Sequence, residues 1–332
     1  MQIDAIIKKT VMEMQQSVPV KLTLVLSGSH PSERTYYKGK LLSDIDITIL
    51  NNLGILYRKR LKEIAEKNSS DDVYIETDVA SPQLIRNNYS IFTLELKNNG
   101  TVLCGNKKRL SRIKVTPETL PRWEGLRALF QKLMMSAYSK KGIDRIYLNA
   151  KLYFAIVDAF LCFTQNYKVT YAERMREVQK LNLPKELEEK ILIAYQFKLN
   201  RLKDDRKLRK IADTNEARKY LLKYIDFFLR RYLNNNKSPI ENIRAIRKKY
   251  PVRIYRNNLF YIHCPVKYLP KVSIIHFNPI LFIECALTND YKPLRNFLAR
   301  PPKTFAELSE VYFSYPSLII KSDGQILGRK SP

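Results

Sequence analysis

The stretch Leu24-Val-Leu-Ser-Gly-Ser29, followed after a basic loop by Ser43-Asp-Ile-Asp-Ile-Thr-Ile-Leu50, decides how this chain is read. Val20–Leu26, which leads into the first segment, alternates and is rich in β-branched residues, and Ile45–Leu50 of the second repeats that pattern, so both read as strands. A glycine-serine turn ends the first, and two acids spaced two residues apart open the second. Side chains at i and i+2 of a strand project from one face, about 6.6–6.8 Å apart along it, so Asp44 and Asp46 form a paired acidic edge. Like charges on one face repel, and a hard divalent ion relieves them: Mg²⁺ prefers carboxylate oxygens together with phosphate oxygens and water. Gly28 has no side chain, so backbone N–H groups of the turn can approach a phosphate, with the hydroxyls of Ser29 and Ser27 as added donors. The plainer alternative is that the acids cap a turn or pair with neighbouring lysines, as isolated acid pairs commonly do.

The pattern extends on both sides. Ile3, Ile6, Ile7, Val11 and Met14 recur at helical spacing and Pro19 stops them, which predicts an opening helix. Strands are expected over Val20–Leu26, Ile45–Leu50, Val73–Val79 and Thr101–Cys104. Between the second and third, Ile55, Leu56, Leu61, Ile64 and Ala65 lie near one face of an amphipathic helix. Strand, loop, strand, helix, strand describes a small mixed α/β domain.

Taken together, Leu24-Val-Leu-Ser-Gly-Ser29, Ser43-Asp-Ile-Asp-Ile47, Val73-Tyr-Ile-Glu-Thr-Asp78 and the later run Asn98-Asn-Gly-Thr-Val-Leu-Cys-Gly105 resemble the DNA polymerase beta-like nucleotidyltransferases. The resemblance covers about the first third of the chain. It implies that Asp44, Asp46 and a third carboxylate hold Mg²⁺ or Mn²⁺, and that Gly28, Ser29 and Ser43 hold a nucleoside triphosphate, with ATP the expected one. Glu76 is taken as the third carboxylate and Asp78, of the same strand parity, stays the alternative. The implied activity moves a nucleoside monophosphate to an acceptor (RNA, a protein hydroxyl or a small molecule) and releases pyrophosphate. The rival is a catalytically inactive nucleic-acid-binding or regulatory protein that keeps the fold. The interval His30–Leu42 is longer than in compact family members. Its Arg34, Tyr36, Tyr37, Lys38 and Lys40 suit either a flap over the nucleotide or a solvated insertion.

The middle of the chain is helical. Trp123, Leu126, Phe130, Leu133, Met134 and Ala137 step by three and four, Asn149–Phe163 reads as a buried helix, and Thr170-Tyr-Ala-Glu173 has the form of a capping box. Leu187–Asn200 and Ala217–Leu233 continue the run. Asp158, embedded in an apolar helix, needs a partner: it is a second-domain catalytic candidate or, more commonly, the mate of a tyrosine or arginine. Arg145, Lys151 and Arg174 either grip phosphates or are ordinary helix-surface charges. Past Pro251, Val252–Tyr255 and Leu259–Ile262 alternate around Asn257-Asn258, a hairpin signal. The expected fold class is α+β: a nucleotidyltransferase domain with a small mixed sheet over 1–112, a helical, substrate-binding domain over 113–250, and a small α/β or irregular C-terminal region over 251–332.

Composition sets the outer bounds. The 332 residues carry 59 Lys and Arg against 32 Asp and Glu, a net charge of +27. Self-repulsion of that size is relieved by a polyanion, and the basic runs Arg201–Lys210 and Arg244–Arg253 lean toward RNA or another polyanionic acceptor. Four dispersed cysteines without a C-x-x-C pair read as reduced packing residues, and three histidines are too scattered for a histidine-based zinc site, His263-Cys264 being the one adjacent pair. The first residues form an amphipathic pattern rather than a secretory signal, and the most apolar windows, Ala155–Phe163 and Val272–Ala286, are too short or too interrupted to span a bilayer. The expectation is therefore a cytoplasmic protein with no transmembrane segment.

Overall fold

The computed structural model describes residues 3–28, 33–70, 72–137, 141–202 and 204–249, and beyond them 285, 287–288, 304–305, 307, 319–320 and 326–327. The hairpin expected over residues 252–262, the His263-Cys264 pair and Ser29 lie outside the described residues. The chain divides into two compact units, one made of 1–125 with 142–213 and the other of 126–141 with 214–332. That division runs through the segment 113–250.

The first unit is α+β. Helix α1 (Ile3–Gln16) is followed by β1 (Leu24–Ser27), a small hairpin of β2 (Tyr36–Tyr37) and β3 (Lys40–Leu41), then β4 (Ile45–Leu50), α2 (Ile55–Asn68), β5 (Ile75–Ala80), α3 (Pro82–Arg86), α4 (Ile91–Asn99) and β6 (Thr101–Cys104). Four strands form one sheet in the order β5-β4-β1-β6. β4 runs parallel to β5 because α2 returns the chain to the same edge, whereas β1 is antiparallel to both β4 and β6. Leu24, Ile45, Ile47, Ile49 and Ile75 of the sheet join Ile6, Ile7 and Met14 of α1 and Leu61 and Ala65 of α2 in one buried cluster.

One helix and one strand expectation change in detail. Leu56 is 82% exposed, so the apolar face of α2 rests on Leu61 and Ala65 alone among the described side chains that are fully covered. Val20 is also exposed, and β1 begins only at Leu24.

After α5 (Lys108–Ser111) and the start of α6 (Trp123–Met135), the first unit resumes with α7 (Gly142–Phe163), α8 (Tyr171–Glu177), a 3-10 turn, α9 (Lys185–Lys198) and α10 (Asp205–Arg209). Thr170 opens α8 with the full capping box: its Oγ1 accepts from the Glu173 N–H, and Glu173 Oε2 accepts from the Thr170 N–H, both at 3.2 Å. Among the described residues α7 is the one helix long and apolar enough to cross a bilayer, and 72% of its apolar window is buried inside the protein. Its buried face packs on α9.

In the second unit α11 (Thr214–Leu233) packs on α12 (Pro239–Lys249), and β7 (Ile319–Ile320) pairs antiparallel with β8 (Ile326–Leu327). Arg218 of α11 donates to Ser136 Oγ at 3.0 Å and to the Ser136 carbonyl at 2.8 Å, tying the 126–141 segment into this unit.

Candidate functional site

Strand pairing brings the acids together. In the parallel β4/β5 register Asp46 lies directly opposite Glu76, while Asp78 lies two steps farther along, opposite Thr48. Paired residues of adjacent strands share a face, so Asp46 and Glu76 project on the same side. Asp44 stands immediately before β4, two residues from Asp46. On the other side of β4, Ser27 at the end of β1 is opposite Asp46, and Gly28 follows it.

Gly28 has φ +72°, and a Cβ built there would fall 1.9 Å from Asp46 Oδ2. Both facts require glycine: a side chain would be strained by the backbone and would collide with the carboxylate. The backbone at Gly28 therefore lies directly against Asp46.

The electrostatics are those of an over-acidic edge. Burial pushes the Asp46 carboxyl from 3.8 up to about 8, with repulsion from Glu76, Asp44 and Asp78 adding to it and Lys151 opposing. Burial also raises Glu76, reinforced by the charges of Asp78 and Asp44, although its side chain stays open to water. Asp78 is raised by burial. Mutual repulsion of this kind disfavours simultaneous ionisation of neighbouring carboxyls.

Among the described residues one ammonium forms an ion pair with the cluster, and Lys62 acts on Glu76 from farther away. Lys151 Nζ lies 3.4 Å from Asp44 Oδ2, and it is held protonated by Tyr147, Asp44 and Asp46 against the penalty of its own burial. Lys151 thus belongs to the site and is no ordinary surface charge. It shares one face of α7 with Tyr147 four residues before it and Asp144 three before that, and Asp144 pairs with Lys40 of β3 at 3.4 Å.

Beneath this face lies a second polar cluster. The Ser43 hydroxyl is buried; it accepts from the Thr35 N–H at 2.9 Å and from Lys198 Nζ at 3.1 Å, and it shares a hydrogen bond with Tyr147 Oη at 3.1 Å. Ser43 is therefore fully engaged in fixing the entry to Asp44. Burial favours the neutral Tyr147 phenol, but Lys198, Lys151 and the Ser43 bond outweigh it and bring the group down to about 8. Tyr147 and Lys198 carried no recognisable signal in the sequence, because nothing in one chain marks residues 104 and 155 positions away as neighbours of Ser43.

Two other candidates are structural. Arg174 is almost wholly buried: it pairs with Asp158 at 3.1 Å and with Glu95, donates to the carbonyls of Lys168 and Val169, and lies over the rings of Tyr167 and Tyr171. Asp158 is thereby the mate of an arginine, and Arg174 is an interior cation rather than a surface charge. Arg145 is exposed.

The described part of the interval between the motifs, residues 33–42, is an ordered hairpin with an exposed tip, pinned by residues beyond α9. Lys38 and Gly39 both have positive φ and turn the β2–β3 hairpin tightly. Glu33, Arg34 and Thr35 are buried ahead of it. Asn200, beyond α9, donates to the Arg34 carbonyl and accepts from the Tyr36 N–H, each at 2.7 Å, and Tyr37 and Lys38 bond Asp205.

Among the described residues, no three His, Cys, Asp or Glu side chains are already gathered as ligands of one ion. No family model matches the chain, and no curated protein sequence matches it significantly.

Proposed function

We propose that this chain is a metal-dependent nucleotidyltransferase that transfers a nucleoside monophosphate from a nucleoside triphosphate to an acceptor. The observation that carries the reading is the pairing of Asp46 with Glu76 across β4 and β5, with Asp44 two residues away and Gly28 beneath Asp46. The donor set suits a hard cation: all of its groups are carboxylate oxygens, and their mutual repulsion is only partly relieved, by the ion-paired Lys151 and, at longer range, by Lys62 acting on Glu76. Asp44, Asp46 and Glu76 would hold Mg²⁺ or Mn²⁺, which would supply positive charge to the phosphate oxygens and the departing pyrophosphate.

The chain's own groups do the rest. The acceptor oxygen attacks the α-phosphorus in line, the bond from that phosphorus to the bridging oxygen breaks, and pyrophosphate leaves. Glu76, opposite Asp46 and open to water, would take the acceptor's proton. Lys151 sets a permanent positive charge beside Asp44 where a triphosphate would lie. The test is Mg²⁺-dependent pyrophosphate release from each of the four triphosphates in the presence of total cell extract. Release should vanish in the Asp44→Asn, Asp46→Asn double variant, and no release from any triphosphate with intact folded protein would reject the proposal.

A second reading is favoured by the Lys151–Asp44 ion pair: an ammonium sits where a metal would otherwise reach Asp44, as in a fold retained without catalysis. Mg²⁺ titration followed by melting temperature separates the two. The enzyme reading requires stabilisation by Mg²⁺ that the double variant lacks; the second requires none.

A further inference from the structure

We propose that the β2–β3 hairpin and α10 form a binding surface for single-stranded RNA, set beside the carboxylate site. The surface belongs wholly to the first unit. Tyr37 Oη and Lys38 Nζ of the hairpin both bond the Asp205 carboxylate at the start of α10, Lys38 at 3.3 Å, so hairpin tip and helix are one continuous face. Tyr37 also packs edge-on against Phe197 of α9, with ring centroids 6.2 Å apart, which leaves its neighbour Tyr36 facing outward and 40% exposed.

The charge on this face is only partly compensated: Lys38 pairs with Asp205, Lys210 pairs with Glu189, and Arg209 acts on Asp205 without an ion-pair contact. Arg201, Arg206, Lys207 and Arg209 are all exposed, and none forms an ion pair among the described residues. The two acids nearby are already used: Asp204 accepts from the Arg206 N–H as the cap of α10, and Asp205 is held in its charged form by Tyr37 and Lys38. Helix α2 shows the contrast, since its lysines meet glutamates one turn on, Lys59 with Glu63 at 3.5 Å and Lys62 with Glu66 at 3.7 Å. A helix that serves only as a solvated face is expected to look like α2.

An exposed aromatic ring amid unpaired guanidinium and ammonium groups fits a strand whose bases are free to stack and whose phosphates follow the cations. A duplex would hide its bases from Tyr36. The hairpin also leads straight to the carboxylates: Lys38 and Asp44 are six positions apart, so its tip is within about 22 Å of them. Delivery of an RNA terminal hydroxyl to that site rests on the transfer reading above, whereas the binding itself does not.

The test is fluorescence anisotropy of a labelled single-stranded RNA on the full chain, with a chelator present so that metal chemistry plays no part. Changing Arg206, Lys207 and Arg209 together to Ala should weaken binding about tenfold or more, and should reduce the slope of log affinity against log salt by about 2. Tyr36→Ala should weaken it about five- to a hundredfold. Lys59→Ala with Lys62→Ala should leave it unchanged, and the Asp44→Asn, Asp46→Asn protein should bind as well as wild type, so failure of catalysis leaves the binding result standing. The proposal is overturned if the α2 variant loses as much affinity as the α10 variant, if Tyr36→Ala has no effect, or if duplex RNA of the same sequence competes equally.

Discussion

Replacing Asp46 by Asn should make the metal-free protein more stable while destroying its activity, and the gain should depend on pH in a direction the structure dictates. In the folded chain the Asp46 carboxyl titrates near 8 against an ordinary 3.8. A raised carboxyl contributes its full stability below pH 3.8 and loses it progressively as pH rises through 8, because the folded state must surrender a proton that the unfolded state gave up long before. Each pH unit of that window corresponds to about 1.4 kcal/mol, so the loss between pH 5 and pH 8 has a ceiling of about 4 kcal/mol. Asp46 is only partly buried, and shared solvation reduces this to roughly 2 kcal/mol. Asn keeps the shape and never ionises. At pH 8.5 with a chelator, the variant should melt about 4–8 °C above wild type, and at pH 5 the difference should shrink by more than half. Saturating Mg²⁺ should raise wild type and leave the variant where it was. Thermal melting followed by circular dichroism at the two pH values, each with and without Mg²⁺, reads all of this. An Asn variant that is less stable at both pH values, or more stable by an amount independent of pH, refutes the account of the carboxylate cluster.

Gly28→Ala should cost about 1–2 kcal/mol in urea unfolding from the positive φ alone, and it should abolish pyrophosphate release because the new methyl group displaces Asp46. Arg174→Met leaves Glu95 and Asp158 without their shared cation and should destabilise the first unit by about 3–5 kcal/mol; adding Asp158→Asn should recover part of the loss, as measured by denaturant midpoint. Tyrosinate absorbance should rise with a midpoint near pH 8, well before the ordinary 10, and this early step should be missing from Tyr147→Phe. Because the folded phenol ionises first, wild type should also gain stability relative to Tyr147→Phe as pH rises from 8 to 10.

Local patterns carried the part of the fold that local physics controls. The apolar runs of β1 and β4, the periodicity of α1, α6 and α11, and the Thr170-Tyr-Ala-Glu173 box each express a short-range requirement, and each is an element or cap in the structure. What escaped was set by contacts far apart in sequence. Arg174 looked like one more basic residue on a helix, yet Glu95, 79 positions earlier, and Asp158 hold it in the interior. Lys151 likewise acquires meaning only from Asp44, 107 positions away. The interval 30–42 looked like a loop because its strands are two residues each, too short for a periodicity to register, and because the residues that pin it, Asn200 and Asp205, lie beyond α9. The acid pair itself was legible for the opposite reason: its spacing and the preceding glycine are both local.

The distribution of charge bears on why the acids are there. A structural acid cluster in a chain with 59 Lys and Arg side chains would be inexpensive to neutralise, since a substitution on any nearby strand or helix could supply an ammonium. The α2 lysines show the chain doing this on its surface, glutamate by glutamate. At the β4–β5 edge, however, Asp44, Asp46, Glu76 and Asp78 share a single ion-paired lysine among the described residues, and burial, with its acidic neighbours adding to it, keeps Asp46 protonated to about pH 8. Sites that sacrifice stability in this way are commonly those whose ligand restores it. An edge of four carboxyls beside a glycine that accepts no side chain is short of positive charge, and a divalent ion carrying a polyphosphate would supply more of it than another lysine could. The reversal of the Asp46→Asn stability gain on adding Mg²⁺ is the consequence that a purely structural acid cluster would not produce.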